Sequence, residues 1–376
     1  MRVAEDPALA RFREEARTWL ADNVPDQSRP RGAERRAFDA QWQRRQYEGG
    51  WAGIAWEPEY GGRGLRPIEQ VIWYEELTRA KAPGHGCFGV AFGHAGPTII
   101  ARGSAEQRAD YLPRILRGET PWCQCFSEPG AGSDLASVRT RAVVDGEHLV
   151  VDGAKIWSTY ADLCDYGELL VRTDPDAPKH KGLTWIAMDM RLPGIEIRPI
   201  QAIDEYPHNC EVFFDRVRIP ISNVVGGLNN GWSVAMSTLA AERGPGFLDD
   251  RLIDVTFVDD LIDYARADGQ LRDEALHDRL AEARALAAAL RSMAYYQVAN
   301  MRPNQPPGAE TTAIRTFHVQ VTTLIGRLAV DVLGVEAVAW TPWGEDWLRR
   351  LSEPIAGGTV DIQRNILGER VLGLPR

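Results

Sequence analysis

The sequence predicts an α+β protein in which a helical domain, a β-barrel-like domain and a four-helix bundle follow one another along the chain. Residues 1–120 carry helix start signals. Residues 121–226 are rich in Val, Ile, Thr and Trp between turn pairs, which is typical of strands. Residues 227–376 carry apolar stripes at helical spacing. These three observations set the predicted domain boundaries.

Two helix starts support the first domain. Asp6 precedes Pro7, which suits an N-cap followed by proline at the first helical position. Ser104 and Gln107 have the spacing of a capping box, in which each side chain binds the other residue's backbone N–H. Pro113 is expected to end this second helix, because proline has no N–H to donate.

Strands separated by turns support the second domain. The segment VVDGEHLVVDGAKIW contains Asp145-Gly146 and Asp152-Gly153, and Asp-Gly pairs are strong turn signals. The segments GLTWIAMDM, GIEIRPIQAI and CEVFFDRVRIP are predicted to be further strands. A β domain of about 100 residues is therefore expected.

Two apolar stripes support the third domain. Each stripe recurs at three- or four-residue intervals, which places its members on one face of a helix. The stripes consist of Leu276, Leu280, Ala283, Ala287 and Leu290, and of Ile314, Phe317, Val321, Leu324, Leu328 and Val332. Between them, the proline-rich segment 303–308 is predicted to be a loop.

Composition excludes several classes of function. The net charge of −10 argues against a nucleic-acid groove, which requires a basic face. The five cysteines include no CxxC pair and the seven histidines form no HxxxH or HExxH motif, so we expect neither a disulfide framework nor a metal site. The apolar runs are too short to span a bilayer, and the N-terminus has no apolar signal core. A cytoplasmic protein without membrane or nucleic-acid partners is expected.

Two motifs in the middle of the chain suit a ligand site. In SEPGAGSD, residues 127–134, Gly130 and Gly132 permit close backbone approach, and Ser127 and Ser133 offer hydroxyl groups. In KIWST, residues 155–159, the flat indole of Trp157 could cover a ring system. Taken alone, the first motif is also compatible with a surface turn, and a tryptophan in a strand is more often part of the core.

Together the motifs closely resemble the acyl-CoA dehydrogenase family. The helix–β–helix order and the C-terminal segment GGTVDIQRNILGERVLG agree with this resemblance, which covers nearly the whole chain. It implies FAD as cofactor and an acyl-CoA thioester as substrate. It also implies that the flavin contacts are Phe126, Ser127, Trp157, Thr159 and Thr359. By the same resemblance, the substrate contacts would be Ser133 on the pantetheine arm, Arg243 beside the active site and Gly357.

The chain departs from the usual family pattern at its catalytic base. Many members carry a glutamate in a C-terminal Tyr-Glu-Gly-Thr loop, but the matching position here is Gly357. A minority, including isovaleryl-type and long-chain members, use a glutamate directly before a helix arginine. Glu242-Arg243 matches that arrangement, and Gly244-Pro245-Gly246 could leave room beside it. A solvated helix residue is the alternative for Glu242.

The resemblance implies the following reaction. Glu242 would take the α-proton while the thioester carbonyl is polarised by the Gly357 N–H and a ribityl hydroxyl. Hydride would pass to flavin N5, giving a trans-2-enoyl-CoA, and the electrons would go to an electron-transfer flavoprotein or a similar acceptor. The glycines after Glu242 hint at a branched or ring-bearing acyl group.

A second departure concerns assembly. Homo-oligomeric members usually carry Arg-x-x-Phe-Gly and Gln-x-x-Gly-Gly motifs that hold a neighbour's FAD. Residues 265–282 contain no such motif, and Asp331 and Val335 stand where a glutamine and a glycine are expected. An aspartate near a pyrophosphate is electrostatically unfavourable. A heterotetramer with a second, related subunit is therefore expected, as in the dehydrogenases of sterol side-chain CoA thioesters, with a homo-oligomer as the alternative.

Two other functions stay open. The missing loop glutamate suits a non-catalytic partner that completes the FAD site of a related dehydrogenase. An acyl-CoA oxidase-like flavoenzyme is the other alternative, since oxidase and dehydrogenase differ in oxygen access to the reduced flavin. A nitroalkane oxidase would want an aspartate where Gly357 stands.

Overall fold

The computed structural model describes residues 6–241, 248–300, 308 and 311–375. The chain divides into two compact units. One unit comprises Asn23–Leu65 and Pro83–Glu242, and it is called the sheet unit below. The other comprises Met1–Asp22, Arg66–Ala82 and Arg243–Arg376, and it is called the helical unit. The predicted domain boundaries at residues 120 and 226 stay a prediction.

The sheet unit is organised around one mixed sheet. Its strands are β1 (Trp122–Cys125), β2 (Arg141–Asp145), β3 (His148–Thr159), β4 (Tyr166–Arg172), β5 (Leu183–Asp189), β6 (Ile195–Ile200), β7 (Asn209–Pro220) and β8 (Val224–Val225). The order across the sheet is β6-β7-β3-β2-β4-β5-β8, with β1 paired in parallel to β4. The predicted turn at Asp145-Gly146 joins β2 to β3, which pair in an antiparallel manner. The sheet therefore confirms the predicted central β region.

Among the described residues, four α-helices belong to the sheet unit. They are α2 (Glu34–Glu48), α4 (Gly96–Arg102), α5 (Ala105–Leu116) and α6 (Gly231–Ala241). One apolar core joins α4, α5 and α6 to one side of the sheet through residues such as Ile99, Ile115 and Val234. A second core, which includes four of the five cysteines, covers the other side. Each face of the sheet thus contributes to a buried apolar core.

The helical unit contains the remaining helices of the described residues. They are α1 (Pro7–Asn23), α3 (Pro67–Arg79), α7 (Leu248–Ala267), α8 (Glu274–Asn300), α9 (Thr311–Leu333), α10 (Pro342–Arg350) and α11 (Val360–Ile366). Helices α7, α8 and α9 share one core, which contains most of both predicted apolar stripes. The N-terminal helix α3 packs on α7 and α8. The predicted α+β class, with helices before and after a central β region, is confirmed.

The two predicted helix starts are confirmed. The Ala8 N–H donates to Asp6 Oδ1 at 2.8 Å, and α1 begins at Pro7. Ser104 and Gln107 form the reciprocal capping box of α5. The predicted end of that helix at Pro113 is wrong, because α5 continues to Leu116. Its last turn stays helical because residues on it, including Leu116, are buried in the core.

The predicted turn at Asp152-Gly153 is also wrong. Both residues lie inside β3, where the pairing with β7 shifts register between Val151 and Gly153. A Cβ at Gly153 would lie 2.8 Å from the Thr140 Cα, so the backbone approaches too closely for any side chain. The glycine therefore marks a β-bulge and not a chain reversal.

Three sequence predictions concern residues outside those described. The loop at 303–308 is described only at Gly308, and Glu242-Arg243 with the following Gly-Pro-Gly segment lies wholly outside. In the part of the chain that is described, no helix combines the length and apolarity needed to cross a membrane.

Candidate active site

The SEPGAGSD segment leaves the end of β1 and turns back toward β3. Phe126, directly after β1, is buried in the core, which fixes the start of the segment. The Ile156 N–H donates to Ser127 O at 2.9 Å, so the two sequence motifs are hydrogen-bonded to each other. Cβ atoms at Gly130 and Gly132 would meet no atom within 4 Å. The loop therefore presents open backbone where a ligand could approach.

A buried ion pair holds this segment on the sheet. Lys155, whose side chain is fully buried, donates to Phe126 O and to Glu128 Oε1, each at 2.9 Å. Glu128 also accepts the backbone N–H groups of Arg139 at 2.7 Å and Thr140 at 2.8 Å. Burial raises the pKa of the Glu128 carboxyl, but the Lys155 charge and these hydrogen bonds outweigh burial and hold the pKa below its usual value. The carboxylate is thus charged and fully bonded.

Trp157 stands on a bulge two residues after that lysine. The β3–β7 register shifts between Lys155 and Ser158, and Trp157 has a φ of 65°. A left-handed backbone at a bulky residue costs about 1–2 kcal/mol. The side chain is 59% exposed, so burial of the indole within this unit does not offset that cost. A strained, exposed aromatic ring beside a glycine loop suits a flat ligand.

The other two sheet-unit candidates are also exposed. The Thr159 hydroxyl donates to Asn209 Oδ1 at 3.0 Å, which leaves its oxygen free to accept from a ligand. Ser133 lies in the turn before the short helical segment Leu135–Ser137. Both hydroxyls belong to the same unit as Phe126, Ser127 and Trp157.

Gly357 and Thr359 belong to the helical unit, in the segment between α10 and α11. Gly357 has a φ of 62°, which favours glycine, and Thr359 is the N-cap of α11, accepting the Ile362 N–H at 3.3 Å. Gln363 Nε2 donates to Gly357 O at 3.0 Å. The segment is therefore ordered by its own hydrogen bonds.

Arg315 on α9 also donates hydrogen bonds to this segment. Arg315 Nη2 donates to Glu353 O at 2.7 Å and to Ala356 O at 2.8 Å. Its Nη1 donates to Glu353 Oε2 at 2.8 Å. The carboxylate of Glu353, four residues before Gly357, is therefore already engaged in an ion pair.

Five of the predicted site residues belong to the sheet unit, and Gly357 and Thr359 belong to the helical unit. Glu242 and Arg243 lie outside the described residues, although α6 leads directly to them. Helix α6 is fixed in the sheet unit by the buried Val234 and by a 2.9 Å hydrogen bond between the Thr98 and Thr238 hydroxyls.

Sequence reasoning gave no role to the residues that hold these segments. Glu128 and Lys155 stand inside the recognised motifs, and a charged residue at an inward position of β3 was a signal that could have found Lys155. Arg315 had no comparable signal, since it is 41 residues from Ala356.

Asp331 has a partner that the sequence did not indicate. Arg279 on α8 donates to Asp331 Oδ2 at 2.6 Å, and both side chains are about half exposed. The carboxylate charge is therefore offset by a neighbouring cation, and the expected electrostatic penalty at this position is smaller than for a lone aspartate.

Comparison with known proteins agrees with the fold and the motifs. Three family models match, namely the acyl-CoA dehydrogenase N-terminal domain at residues 6–119, the middle domain at 123–217 and the C-terminal domain at 229–372. The acyl-CoA dehydrogenase IpdE1 of Mycobacterium tuberculosis is 37% identical over 97% of both chains.

Two solved structures are similar over the full chain. The Tcur3481-Tcur3483 steroid ACAD has a TM-score of 0.88 and 30% identity, covering 100% of both chains. The ChsE4-ChsE5 complex from Mycobacterium tuberculosis has a TM-score of 0.84 and 29% identity, again covering 100% of both. The chain therefore belongs to the acyl-CoA dehydrogenase family, whose members are FAD-binding oxidoreductases that act on a carbon–carbon bond of acyl-CoA thioesters.

Proposed function

We propose that Glu242 is the base that removes the α-proton of an acyl-CoA thioester, which is oxidised to a trans-2-enoyl-CoA. The observation that carries this proposal is the C-terminal segment around Gly357, where other family members place their glutamate. Gly357 has no side chain, and the nearby Glu353 carboxylate is bonded to Arg315 at 2.8 Å. A carboxylate that is engaged in an ion pair is not free to take a proton from a substrate. These two observations support a base outside the segment around Gly357.

Helix α6 supports Glu242 in this role. The helix is buried at Val234, Ala235 and Thr238, and its last described residue, Ala241, directly precedes Glu242. General-base catalysis requires a well-positioned group, and α6 is a packed element that directly precedes Glu242 in the sequence. Arg243, the next residue, is proposed as a contact beside the substrate.

The FAD proposal assigns the flavin ring to the exposed surface of the sheet unit. Phe126, Ser127, Trp157 and Thr159 would contact the ring, and Thr359 is the proposed contact from the helical unit. The fit is supported by the exposed indole of Trp157 on its strained bulge and by the open glycine loop. Bound FAD supplies the acceptor for the β-hydrogen as hydride, and its electrons leave to an electron-transfer flavoprotein or a similar acceptor.

The chain's own groups would bind and polarise the thioester. Ser133 is proposed to contact the pantetheine arm, and the Gly357 N–H is proposed to donate to the thioester carbonyl. A donor at that oxygen stabilises the negative charge that develops when the α-proton leaves. Because similar solved structures include a steroid ACAD, we propose a bulky acyl group, steroid-like or branched.

A second, related subunit is proposed to complete the assembly, and the cytoplasm is the proposed location. The similar structures include a ChsE4-ChsE5 complex and a Tcur3481-Tcur3483 enzyme, each with two named components. The sequence lacks the two motifs that usually hold a neighbour's FAD, which supports a heterotetramer. Expression of the chain alone and with its genomic neighbour, followed by a count of FAD per chain, tests the partner. Full FAD loading of the lone chain would remove the need for one.

The test of the base is Glu242→Gln in the assembled enzyme with a panel of short, long, branched and steroidal acyl-CoA thioesters. We expect turnover to fall by about 10³-fold or more, since a positioned general base contributes roughly 10²–10⁴-fold. Exchange of the α-deuterium into water should stop as well. Flavin absorbance should persist, because Glu242 is not among the proposed flavin contacts.

Glu147→Gln is the matched control, since Glu147 is exposed in the turn between β2 and β3. It should leave turnover unchanged. Retained turnover in Glu242→Gln would show that Glu242 is not the base.

A second candidate function is a non-catalytic partner subunit, which the glycine at position 357 favours. In that case the assembled enzyme would keep full turnover with Glu242→Gln in this chain. It would lose turnover when the other subunit's base is replaced. Turnover of Glu242→Gln, compared with turnover after replacement of the other subunit's base, therefore distinguishes a catalytic chain from a non-catalytic partner.

A further inference from the structure

The peptide unit that links Ala356 to Gly357 is held at one end only. Its carbonyl oxygen, Ala356 O, accepts from Arg315 Nη2 at 2.8 Å. Its N–H, on Gly357, has no acceptor among the residues that the structure describes, and Gly357 is exposed within its unit. In a planar trans peptide the C=O and N–H bonds point in opposite directions. The hydrogen bond from Arg315 to Ala356 O therefore fixes the direction of the Gly357 N–H.

Arg315 is itself held by several groups. It donates to Glu353 O at 2.7 Å, to Glu353 Oε2 at 2.8 Å and to His318 Nδ1 at 3.2 Å. Since a guanidinium only donates, His318 Nδ1 accepts in this contact, which leaves Nε2 for another contact. That nitrogen is 3.3 Å from Asp254 Oδ2 on α7. Both His318 and Asp254 are buried.

The buried end of this chain of contacts is also fixed. Arg350, at the end of α10, donates to the other oxygen of Asp254 and to Thr322 Oγ1, the latter at 2.6 Å. Arg350 is three residues before Glu353, so the segment that carries Gly357 is tied to the core at both its start and its middle. Paired and buried groups of this kind resist displacement, because breaking one partner away leaves a charge uncompensated.

We propose that Arg315 is the positioning residue that aims the Gly357 N–H at the thioester carbonyl of the substrate. This inference depends on the proposed function, in which that N–H polarises the carbonyl. The contact with Ala356 O has two effects. It fixes the orientation of the peptide before substrate arrives, and a cation on the carbonyl oxygen strengthens the N–H as a donor through cooperative polarisation.

The two variants that test the proposal are Arg315→Gln and Arg315→Lys. Arg315→Gln removes the charge and the fork of donors, whereas Arg315→Lys keeps a charged donor but cannot reach both carbonyls and the Glu353 carboxylate together. We expect kcat to fall about 10- to 100-fold in Arg315→Gln, less than for loss of an oxyanion donor itself. Arg315→Lys should recover part of the loss. KM and flavin content should stay near the wild-type values.

A spectroscopic measurement distinguishes loss of the Gly357 N–H orientation from a general structural effect of the substitution. The probe is a trans-2-enoyl-CoA labelled with ¹³C at the thioester carbonyl, which binds without turnover. Its carbonyl stretch should shift to lower frequency in the wild type and return toward the free value in Arg315→Gln. Arg284→Gln is the control, because Arg284 pairs with Asp259 between α8 and α7, away from the segment of Gly357. It should change neither kcat nor the stretch.

The outcomes are distinct from those of the Glu242 test. An unchanged kcat and carbonyl stretch in Arg315→Gln, with Glu242→Gln inactive, would overturn the positioning role alone. Loss of flavin in step with loss of kcat would also overturn it, since that marks a structural role. If Arg315→Gln does not fold, Arg315→Lys decides, because a wild-type stretch there would show that the fork is unnecessary. A wild type with no turnover on the acyl-CoA panel would reject the proposed function, while the stretch would still test Arg315.

Discussion

Replacing Lys155 with methionine should loosen the loop that is proposed to carry the flavin ring. The Lys155 side chain is fully buried, and its ammonium bonds both Phe126 O and Glu128 Oε1 at 2.9 Å. Methionine has a similar length and no charge. The substitution therefore leaves Glu128 buried without its cation, and it leaves the Phe126 carbonyl without a donor.

The expected loss of stability follows from those contacts. Removing one partner of a buried ion pair costs about 3–5 kcal/mol. The backbone donors at Arg139 and Thr140 still bind Glu128 and reduce the loss, so we expect the lower end of that range, about 3 kcal/mol. Lys155→Met with Glu128→Gln should recover about half of it, because no charge is then left buried.

Chemical denaturation of the flavin-free protein at pH 7 measures the loss of stability. Titration with FAD measures the effect of the loosened loop on flavin binding. The Glu128 pKa is lowered in the folded state, so its contribution to stability is present above the pKa of the unfolded carboxyl and is lost as the pH falls through the folded value. The gap between wild type and Lys155→Met should therefore narrow in acid.

Lys179→Met is the matched control for this prediction. Lys179 pairs with Asp134 of the same loop at 2.7 Å, but both side chains are more than half exposed. Its loss should cost less than about 1 kcal/mol. A Lys155→Met protein that is within about 1 kcal/mol of wild type and binds FAD equally well would refute the reasoning.

Three further predictions concern single positions. Burial, with a smaller contribution from Arg29, lowers the pKa of His85 to about 4, so the unfolded state takes up a proton near pH 6.5 while the folded state does not. Stability should therefore fall by about 1–2 kcal/mol between pH 7 and pH 5, and His85→Phe should remove that part of the fall in urea titrations at the two pH values. Trp157→Ala should change apoprotein stability by less than about 0.5 kcal/mol, since the ring is exposed, yet weaken FAD at least about tenfold in a fluorescence titration. Gly357→Glu should not restore turnover to Glu242→Gln in the acyl-CoA assay, because the left-handed backbone there disfavours a side chain.

Local signals in the sequence predicted local structure well. Ser104 and Gln107 cap α5 as expected because a capping box needs only residues three apart. The Asp152-Gly153 pair failed for the opposite reason. Whether such a pair turns the chain or bulges a strand depends on the neighbours that the chain meets, here β7 and Thr140, and these are distant in sequence.

The candidate site shows the same limit. Ser127, Trp157 and Thr159 were predicted as flavin contacts because two short motifs contain them, and Phe126 directly precedes the first motif. In the structure the two motifs are joined by the Ile156 to Ser127 hydrogen bond. Residues that stabilise a site but are distant from it in sequence lie in no such motif. Arg315 could be recognised only once its guanidinium was seen on two carbonyl groups of a segment about 40 residues away.

The surroundings of Gly357 support the proposal that the base is Glu242 and not a residue of the C-terminal segment. A Cβ at Gly357 would lie 3.9 Å from Arg315 Nη2, so a glutamate there would have a guanidinium within easy reach. Such a pair favours the ionised carboxylate and lowers its pKa, whereas proton abstraction beside a thioester requires a stronger base. A glutamate carboxylate at position 357 would therefore compete with the Ala356 carbonyl oxygen for the Arg315 guanidinium. With glycine at position 357, that residue offers its peptide N–H and no side chain, and the proposed proton acceptor is then Glu242, in another part of the chain.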